Sequence, residues 1–373
     1  MKIVIIGPAY PFRGGIADTN ESMCRELQRK GHEAVIYTFT LQYPEIFFPG
    51  KTQYSADPRP ENIKIEERIN SVNPFTWIQT AININRMAPD LLIVRYWIPF
   101  MAPCLGTIAL LVKKRTRVIG MTDNIIPHEK RTGDKWLTQY FIKACHGFIT
   151  LSSTVKDELQ FFTKKPSVYF PHPINDNLGE PIDKYEARKH LNLEKEGQYI
   201  LFFGIVRKYK GLDLLLKAMG EKKIKDRGIK LLIVGEFYDK PATYNELISE
   251  LGLSENVIVV NKFIPASHIR YYFCAADLVA QTYHTASQSG ITQIAYHFER
   301  PMLVTNVGGL SEIVPHKKVG YVLEKHPAAI SEAIQDFFQN NRKVEFEPYI
   351  KEEKKKYTWN AFVDQINKLY NQL

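Results

Sequence analysis

The sequence lacks the features of a membrane-spanning or disulfide-stabilised chain. Its longest apolar run, Leu105–Val112, is far shorter than the roughly 20 residues that cross a bilayer. The four cysteines are scattered, with no CxxC pair and no histidines at zinc-ligand spacing. The opening stretch MKIVIIGPAY holds too short an apolar segment for a secretory signal. These absences predict a protein of the reducing cytoplasm without structural zinc.

Low-complexity segments, repeats and the motif spacings of nucleic-acid-binding modules are also missing, so nucleic acid is not an expected partner. Acidic residues are fewer than basic ones: the sequence has 40 Asp and Glu and 49 Lys and Arg, which gives a net charge of +9. Such a balance is typical of proteins that meet acidic small molecules or anionic membranes. Part of the excess lies in KKRTR, Lys113–Arg117, directly after the apolar run. This cluster fits an anionic membrane surface and a solvated helix end equally well.

What the sequence does contain is a strand-helix alternation that occurs twice. The first series runs from the strand Lys2–Ile6 to the strand Val168–Phe170, and the second from Tyr199–Phe203 to Tyr321–Leu323. Alternating strands and helices predict parallel sheets, and 373 residues are too many for one ordinary core. We therefore predict an α/β protein with two doubly wound domains, 1–175 and 176–356. The segment 357–373 is expected to form a helix that packs back across the interface.

In such sheets, ligands bind beyond the carboxyl ends of the strands, so the loops there are the candidate sites. The loop GPAYPFRGGIAD places Gly14 and Gly15 directly before a helix. Backbone N–H groups and the helix dipole favour an anion at such a position. The GK[ST] ending of a phosphate-binding P-loop is absent, and a plain strand-to-helix turn explains the loop equally well.

The loop GIVRKYKG, Gly204–Gly211, follows a strand in the second series. It brings Arg207, Lys208 and Lys210 together, which predicts a site for a diphosphate. The next strand is followed by VGEFYDKP, in which Glu236 either meets a sugar hydroxyl or caps a helix.

The stretch YHTASQSGITQIAYHFERP has no carboxylate between His284 and Phe298, although a nucleotide-sugar site usually has carboxylates for the ribose. It offers instead a cluster of neutral hydrogen-bonding groups at a helix start: Ser287, Gln288, Ser289 and Gly290. Hydroxyls, amides and N–H groups at a helix N-terminus bind phosphate without any carboxylate.

Five segments in order, FFGIVRKYKGLDLLLKAM, LLIVGE, VNKFIP, CAADLVAQTY and PMLVTNVGGLSEIV, resemble the C-terminal half of family-four retaining glycosyltransferases with the GT-B fold. The N-terminal GPAYPFRGGIADTNESMCRELQRKGHEAVIYTF is similar to the start of their acceptor domain. The resemblance covers nearly the whole chain and is weakest over 40–89. It implies two Rossmann-like domains facing across a cleft, with the acceptor in the first and a nucleotide-diphosphate sugar in the second.

The resemblance also implies residue roles. The family's Arg/Lys pair falls on Arg207 and Lys210, which take the charge that a metal carries elsewhere, and no other cofactor is implied. The nucleotide base would meet the backbone near Phe263 and Ile264. The family's histidine at a strand end of the first domain corresponds to Asp123.

The chain departs from the family at its two paired glutamates. Alignment on Pro301 places Ala286 and Ile294 at those positions, with Gln288 and Gln293 as the nearest polar groups. The predicted catalytic residues are Arg207, Lys210 and Asp123. The predicted donor-binding residues are Gly14, Gly15, Gly204, Glu236, Phe263, Ile264, Ser287, Gln288, Ser289, Gly290 and Gln293.

The function expected from this resemblance is metal-independent, retaining transfer of a sugar, of the hexosyltransferase type, to a glycan or lipid-linked acceptor. The product would be a polysaccharide or glycoconjugate, made in the cytoplasm or on the inner face of the membrane. Two alternatives stay open. The missing glutamates would suit an inactive partner subunit that binds a sugar nucleotide or glycan. A nucleotide-sugar epimerase of the same fold is disfavoured, because the second half shows no acid/base set of carboxylate and histidine.

Overall fold

A computed structural model describes residues 1–44, 52–55, 58–127, 131–174, 178–286 and 289–373. These residues form two compact units. Unit 1 comprises Met1–Pro173 together with Tyr357–Leu373, and unit 2 comprises Ile174–Lys356. The domain boundary predicted after residue 175 lies outside the described residues. None of the helices in the described ranges is long and apolar enough to cross a membrane.

Unit 1 contains a parallel sheet with helices on both faces. Its strands are β1 (Lys2–Ile6), β2 (Glu33–Leu41), β3 (Lys64–Asn70), β4 (Leu91–Tyr96), β5 (Arg117–Thr122), β6 (Gly147–Thr150) and β7 (Ser167–Tyr169). Its first helices are α1 (Gly15–Arg29), α2 (Pro74–Met87), α3 (Ala102–Leu111), α4 (Asp134–Ala144) and α5 (Ser153–Gln160). The strand order β3-β2-β1-β4-β5-β6-β7 reverses direction between β1 and β4. This is the doubly wound arrangement that the sequence predicts.

The central strand β1 reads KIVII because both faces of a parallel sheet are buried. Ile3 and Ile5 point into one core cluster, shared with α1. Val4 and Ile6 point into the other, shared with residues of α2, α3 and α4. Every side chain of this strand from Ile3 to Ile6 is therefore fully buried.

Strand β3 and helix α2 were not predicted, and they lie where the family resemblance is weakest. Helix α2 nevertheless begins with a recognisable signal. The Asn73 side chain accepts a hydrogen bond from the Phe75 N–H at 3.1 Å, and Pro74 occupies the first helical position. The missed signal is thus an ordinary helix N-cap.

Unit 2 repeats the doubly wound plan with six strands. They are β8 (Tyr199–Phe203), β9 (Lys230–Val234), β10 (Val257–Val260), β11 (Leu278–Gln281), β12 (Met302–Thr305) and β13 (Gly320–Leu323). The helices are α6 (Lys184–His190), α7 (Leu212–Met219), α8 (Lys222–Lys225), α9 (Pro241–Glu250), α10 (Ala266–Ala275), α11 (Gly290–His297), α12 (Leu310–Ile313), α13 (Pro327–Gln339) and α14 (Arg342–Glu353). The order β10-β9-β8-β11-β12-β13 confirms the predicted second parallel sheet.

The last helix, α15 (Trp359–Tyr370), belongs to unit 1. Its apolar face, which includes Trp359, Phe362 and Ile366, joins the cluster that holds Ile3 and Ile5. The side chain of Thr358 caps its N-terminus by accepting from the Ala361 N–H at 3.3 Å. The chain therefore leaves unit 1, builds unit 2, and returns to complete the first core.

His172 stands where the chain leaves unit 1, between Pro171 and Pro173, and is buried. Its Nδ1–H donates to the Pro173 carbonyl at 2.9 Å, and its Nε2 lies 2.9 Å from the Thr19 hydroxyl. Burial lowers the pKa of His172 to about 4, and the positive charge of Arg95 acts in the same direction. The imidazole is thus neutral near pH 7, and the crossover is bound to the first turns of α1 through Thr19.

This histidine predicts a loss of stability in mild acid. An unfolded imidazole takes up a proton near pH 6.5, whereas His172 in the folded protein does so only near pH 4. The stability from this group is therefore full above about pH 6.5 and falls by about 1.4 kcal/mol per pH unit as the pH drops toward 4. His172→Gln has no such proton uptake, so its free energy of unfolding should change less steeply over this range. Urea titrations of both proteins at pH 7, 6 and 5 measure the difference, and parallel slopes would contradict it.

Candidate functional site

The candidate site of unit 2 lies where its strand order reverses, between β8 and β11. These two strands are neighbours in the sheet although they are distant in sequence. Loops from two such strands diverge and leave a crevice at their carboxyl ends, which is where doubly wound sheets bind ligands. The loop after β8 holds Gly204, Arg207 and Lys210, and the loop after β11 leads to Ser289 and Gly290.

Gly204 leaves room for the Lys210 side chain because it has no Cβ. Its φ of +102° favours glycine, and a Cβ at this position would lie 3.3 Å from the Lys210 Nζ. The same ammonium lies 5.5 Å from the centre of the Tyr283 ring. The Arg207 guanidinium lies 5.2 Å from the centre of the Tyr238 ring. Both cations thus rest on aromatic faces at the end of β8.

Neither cation has a negatively charged partner among the residues that the structure describes. Within the described part of the chain, Arg207 and Lys210 form no ion pair and no side-chain hydrogen bond. Burial lowers the pKa of Lys210, and the charge of Arg207 lowers it further. A bound anion would relieve both effects, so this pair of side chains is suited to hold one.

The loop after β8 is fixed to the loop after β11 through backbone contacts. Gly211 has a φ of +63°, and a Cβ there would lie 1.9 Å from the Thr282 carbonyl oxygen. The Thr282 hydroxyl donates to the Gly211 carbonyl at 2.8 Å, and the His284 N–H donates to the Tyr209 carbonyl at 2.7 Å. No other residue type allows this approach at position 211, so Gly211 sets the spacing of the two loops.

Helix α11 begins beside Lys210, since a Cβ on Gly204 would meet both the Lys210 Nζ and the Ile291 side chain. Ser289 caps it by accepting from the Ile291 N–H at 3.3 Å, and the Tyr283 hydroxyl lies 3.2 Å from the same Ser289 oxygen. Burial raises the pKa of Tyr283 to about 12. Gly290 is exposed, with no atom within 4 Å of where a Cβ would stand. The predicted site residues Ser287 and Gln288 lie outside the described residues.

Gln293 is 2% exposed, and neither atom of its amide has a hydrogen-bond partner among the described residues. Gln281, at the end of β11, is also buried: its Oε1 accepts from the Thr292 hydroxyl at 3.2 Å, while its Nε2 has no partner. Buried amides are almost always bonded to protein or to ordered water. These two amides, on neighbouring elements, thus carry hydrogen-bonding atoms that no described residue satisfies. Gln281 and Tyr283 were not predicted, although both lie within or next to the quoted strand segment CAADLVAQTY.

The remaining predicted donor residues lie farther along the same edge of the sheet. Glu236 follows β9 and is 4% exposed, and its carbonyl accepts from the Val206 N–H at 2.9 Å. Phe263 and Ile264 follow β10, the outermost strand, with Ile264 buried. The strand order therefore places the predicted residues of unit 2 along one edge, from β10 to β11.

Unit 1 holds the other predicted residues. Gly14, with a φ of +111°, and Gly15 precede α1, and no atom lies within 4 Å of a Cβ at either position. Asp123 directly follows β5 and accepts from both sides of the Arg95 guanidinium, with Nε–Oδ2 at 2.5 Å and Nη2–Oδ1 at 2.6 Å. Arg95, on β4, was not predicted as part of a site. No cluster of three or more metal-ligating side chains occurs among the residues that the structure describes.

Comparison with known proteins gives two matching family models. Residues 13–178 match the model described as Glycosyltransferase Family 4, and residues 183–357 match the model described as Glycosyl transferases group 1. The D-inositol 3-phosphate glycosyltransferase of Segniliparus rotundus is 31% identical over 170 residues. That match covers 44% of this chain and 38% of the relative, so it spans well under half of the relative's length.

Solved structures match over the whole chain. Sucrose-phosphate synthase from Thermosynechococcus elongatus gives a TM-score of 0.78 at 16% identity, covering 100% of this chain and 98% of that one. Anabaena HepE in complex with UDP-glucose gives a TM-score of 0.78 at 14% identity, covering 100% of both chains. At these identities the likeness shows the fold, and it confirms the predicted GT-B architecture. Since the two family models adjoin and together match most of the sequence, the chain belongs to the family-four glycosyltransferases.

Proposed function

We propose that the protein transfers a sugar from a nucleoside-diphosphate sugar to a glycan or lipid-linked acceptor, with retention of configuration and without a metal ion. The observation that carries this proposal is the pair Arg207 and Lys210. Both lie where the strand order of the unit 2 sheet reverses, and Lys210 lies next to the start of α11. Among the described residues, neither has a carboxylate partner. A diphosphate supplies the missing negative charge.

In the proposed reaction, the bond between the sugar C1 and the diphosphate oxygen breaks as a bond from C1 to the acceptor oxygen forms on the same face. The acceptor hydroxyl gives its proton to the departing diphosphate. Negative charge grows on the diphosphate during this step, so Lys210, Arg207 and the α11 N–H groups stabilise the transition state more than the ground state. Fixed cations in a partly dry site perform the task that a metal ion performs in other transferases.

Neutral amides take the place of the family's glutamates in this proposal. The unpaired Gln293 amide and the Gln281 Nε2 are suited to the hydroxyls of a ribose or sugar, since an amide both donates and accepts hydrogen bonds. Glu236 is the next candidate for this contact. A site without those carboxylates also repels the donor's phosphates less.

The nucleotide is tested by thermal denaturation with a panel of UDP-, ADP-, GDP- and CDP-sugars. A relative of the same fold was solved with UDP-glucose, so UDP-sugars are tried first. The correct donor should raise Tm, because a ligand that binds only the folded state stabilises it by about 2.7 kcal/mol at 100 times its Kd. Release of nucleoside diphosphate from that donor should continue in excess EDTA. If no sugar nucleotide raises Tm, the proposed function is wrong.

The same assay separates the alternatives. An inactive binding subunit would gain stability from the donor but never release nucleoside diphosphate. An epimerase would convert the sugar and still release none during conversion of the intact donor. Loss of turnover in EDTA, restored by Mg²⁺ or Mn²⁺, would overturn metal independence alone.

Substitutions should separate transition-state stabilisation from donor binding. Lys210→Ala should mainly lower kcat, by about 10²–10³, because Lys210 faces charge that grows as the diphosphate leaves. Gln293→Ala should mainly raise the donor KM, through loss of hydrogen bonds that contribute about 1–3 kcal/mol. Steady-state kinetics measures both.

Matched controls are available for each substitution. Lys208→Ala removes an exposed cation from the same turn and should change kcat by less than about threefold, within the effect of a solvated surface charge. Gln293→Leu keeps the side-chain volume and removes two unbonded buried atoms, so it should not lower the Tm of the free protein while it still weakens donor binding. If both Gln293 variants keep the donor KM of the wild type, Gln293 does not bind the ribose and the proposal for this residue is wrong.

We further propose that unit 1 binds anionic membrane through a surface formed by α2 and the end of α3. Phe75, Ile78 and Ile82 form one ridge of α2, with Phe75 80% exposed. Lys113, Lys114 and Arg115 are exposed after α3, and Asn85 joins the two elements through bonds to the Leu111 carbonyl and the Lys113 N–H. Three large apolar residues that precede α3 do not contribute to this surface: Met101 lies in the core, and Trp97 and Phe100 pack against it. The exposed apolar ridge therefore comes from α2, next to the cations.

Binding to vesicles should depend on both parts of this surface. Each basic residue near an anionic surface contributes about 1 kcal/mol, so Lys113→Ser/Lys114→Ser should weaken binding about 30-fold at low salt. Lys222→Ser/Lys223→Ser removes the same charge from exposed positions in unit 2 and should have little effect. Phe75→Ser/Ile78→Ser should weaken the binding that persists at high salt. Equal binding of the wild type to neutral and anionic vesicles in co-sedimentation would contradict the proposal.

A further inference from the structure

His284 follows β11 at the carboxyl ends of the unit 2 strands, and its polar groups contact three different segments of that unit. Its N–H donates to the Tyr209 carbonyl at 2.7 Å, in the loop after β8. Its imidazole Nε2 lies 2.8 Å from the Oδ1 of Asp213, in the first turn of α7. Its carbonyl accepts from the Lys325 ammonium at 3.2 Å, just after β13. His284 therefore joins segments that follow β8, β11 and β13, at the edge of the sheet that holds the candidate site.

The contact with Asp213 is made by the His284 side chain, whereas the other two are made by its backbone. Both side chains are about one-third exposed, at 35% and 34%. A pair so open to water contributes little to the free energy of unfolding. The carboxylate is nevertheless well fixed, because it lies in the first turn of α7, where the helix dipole favours negative charge. We therefore expect this contact to determine where the loop after β11 lies rather than how stable unit 2 is.

Tyr283, the residue before His284, lies against the Lys210 side chain. The Lys210 ammonium is 5.5 Å from the centre of the Tyr283 ring. The Tyr283 carbonyl accepts from the Thr305 hydroxyl at 2.6 Å, and the Tyr283 hydroxyl lies 3.2 Å from the Ser289 oxygen. Tyr283 is thus held from the end of β12 and from the start of α11. The His284 side chain attaches the same loop to α7.

Lys210 depends on this ring because no described residue holds its ammonium through a directed bond. In the described part of the chain, Lys210 has no ion pair and no side-chain hydrogen bond. Its long, flexible side chain instead lies beside Gly204 and the Tyr283 ring. A shift of the loop after β11 would therefore displace the ammonium.

We propose that His284 is a positioning residue, which acts through its bond to Asp213 to keep Tyr283 in place beside Lys210. The proposal rests on the proposed sugar transfer and adds a residue that need not touch either substrate. Negative charge grows on the diphosphate as it leaves, so the position of the Lys210 ammonium affects the transition state most. A displacement of about 1 Å at such a group lowers the rate by up to about 100-fold. The bond between His284 and Asp213 thus affects kcat, and it affects donor affinity much less.

The first test compares variants that remove this bond with variants that keep it. His284→Ala removes it and leaves both backbone contacts, so kcat should fall about 10- to 100-fold while the donor KM changes by less than about threefold. His284→Gln can still donate from its amide to Asp213, and Asp213→Asn still offers a carbonyl oxygen to the imidazole. Both conservative variants should keep kcat within about threefold of the wild type. Wild-type kcat in His284→Ala, or an equal loss in His284→Gln, would overturn the proposal.

A double-variant cycle separates positioning from a general structural role. If His284 acts through Lys210, His284→Ala should lower kcat by less than about twofold when Lys210→Ala is already present. The ammonium that His284 positions is absent from that background, so nothing remains to be displaced. A structural role would lower kcat by the same factor in both backgrounds, and that result would overturn the proposal. If Lys210→Ala turns over too slowly for this comparison, the single variants decide alone.

His316 provides a matched control from the same unit. It is an exposed histidine whose Nδ1 accepts from the Val322 N–H at 3.0 Å, so His316→Ala also removes one side-chain bond. This variant should keep kcat and KM within about threefold of the wild type, and a loss equal to that of His284→Ala would overturn the proposal. All variants are assayed by release of nucleoside diphosphate from the donor that most raises Tm. Failure of the proposed function is distinguishable, because then the wild type itself shows no donor binding or release.

Discussion

Both faces of each parallel sheet are covered by helices, and this constraint determines where chemistry is possible in the molecule. A strand such as KIVII has apolar side chains on both faces, so polar and charged groups are excluded along its length. They collect at the strand ends, and the reversal of strand order opens one place in each sheet where loops diverge. Arg207 and Lys210 occupy that place in unit 2, and Arg95 and Asp123 occupy it in unit 1.

The two places differ in charge. In unit 2 the cations rest on tyrosine rings without a carboxylate among the described residues, and burial lowers the pKa of Lys210. In unit 1 the cation is neutralised by a carboxylate at hydrogen-bond distance. The first place therefore suits the diphosphate of the proposed donor, whereas the ion pair at the second carries no net charge.

Much of the fold could be predicted from the sequence, because a buried strand of a parallel sheet is a run of consecutive apolar residues. The limits predicted for the first strand of each series, β1 and β8, agree with the structure. The segment β3–α2 was missed, since the half-exposed strand KIEERIN contains four charged residues and lacks the apolar run that identified the other strands. The apolar run that identifies a strand is therefore clearest where both faces of that strand are buried.

The candidate site was predictable only in part. Glycines and cations in one loop are visible in sequence, which is why Gly204, Arg207 and Lys210 were found. The bond from Arg95 to Asp123 joins residues 28 positions apart on neighbouring strands, and the orphaned amides of Gln281 and Gln293 are defined by what they do not contact. Such properties depend on packing between elements, which a single sequence does not record.

The return of α15 to unit 1 has a consequence for how the chain is made. Helix α15 packs against α1 and β7 and belongs to the core cluster that also holds Ile3 and Ile5, yet it leaves the ribosome hundreds of residues after them. Domains generally fold as units in the order of their synthesis, at about 5–20 residues per second. Here the second unit emerges complete while the first still lacks its last helix. The unit that begins the chain is thus the last to finish folding, and for part of each synthesis an apolar face of its sheet stays available to chaperones.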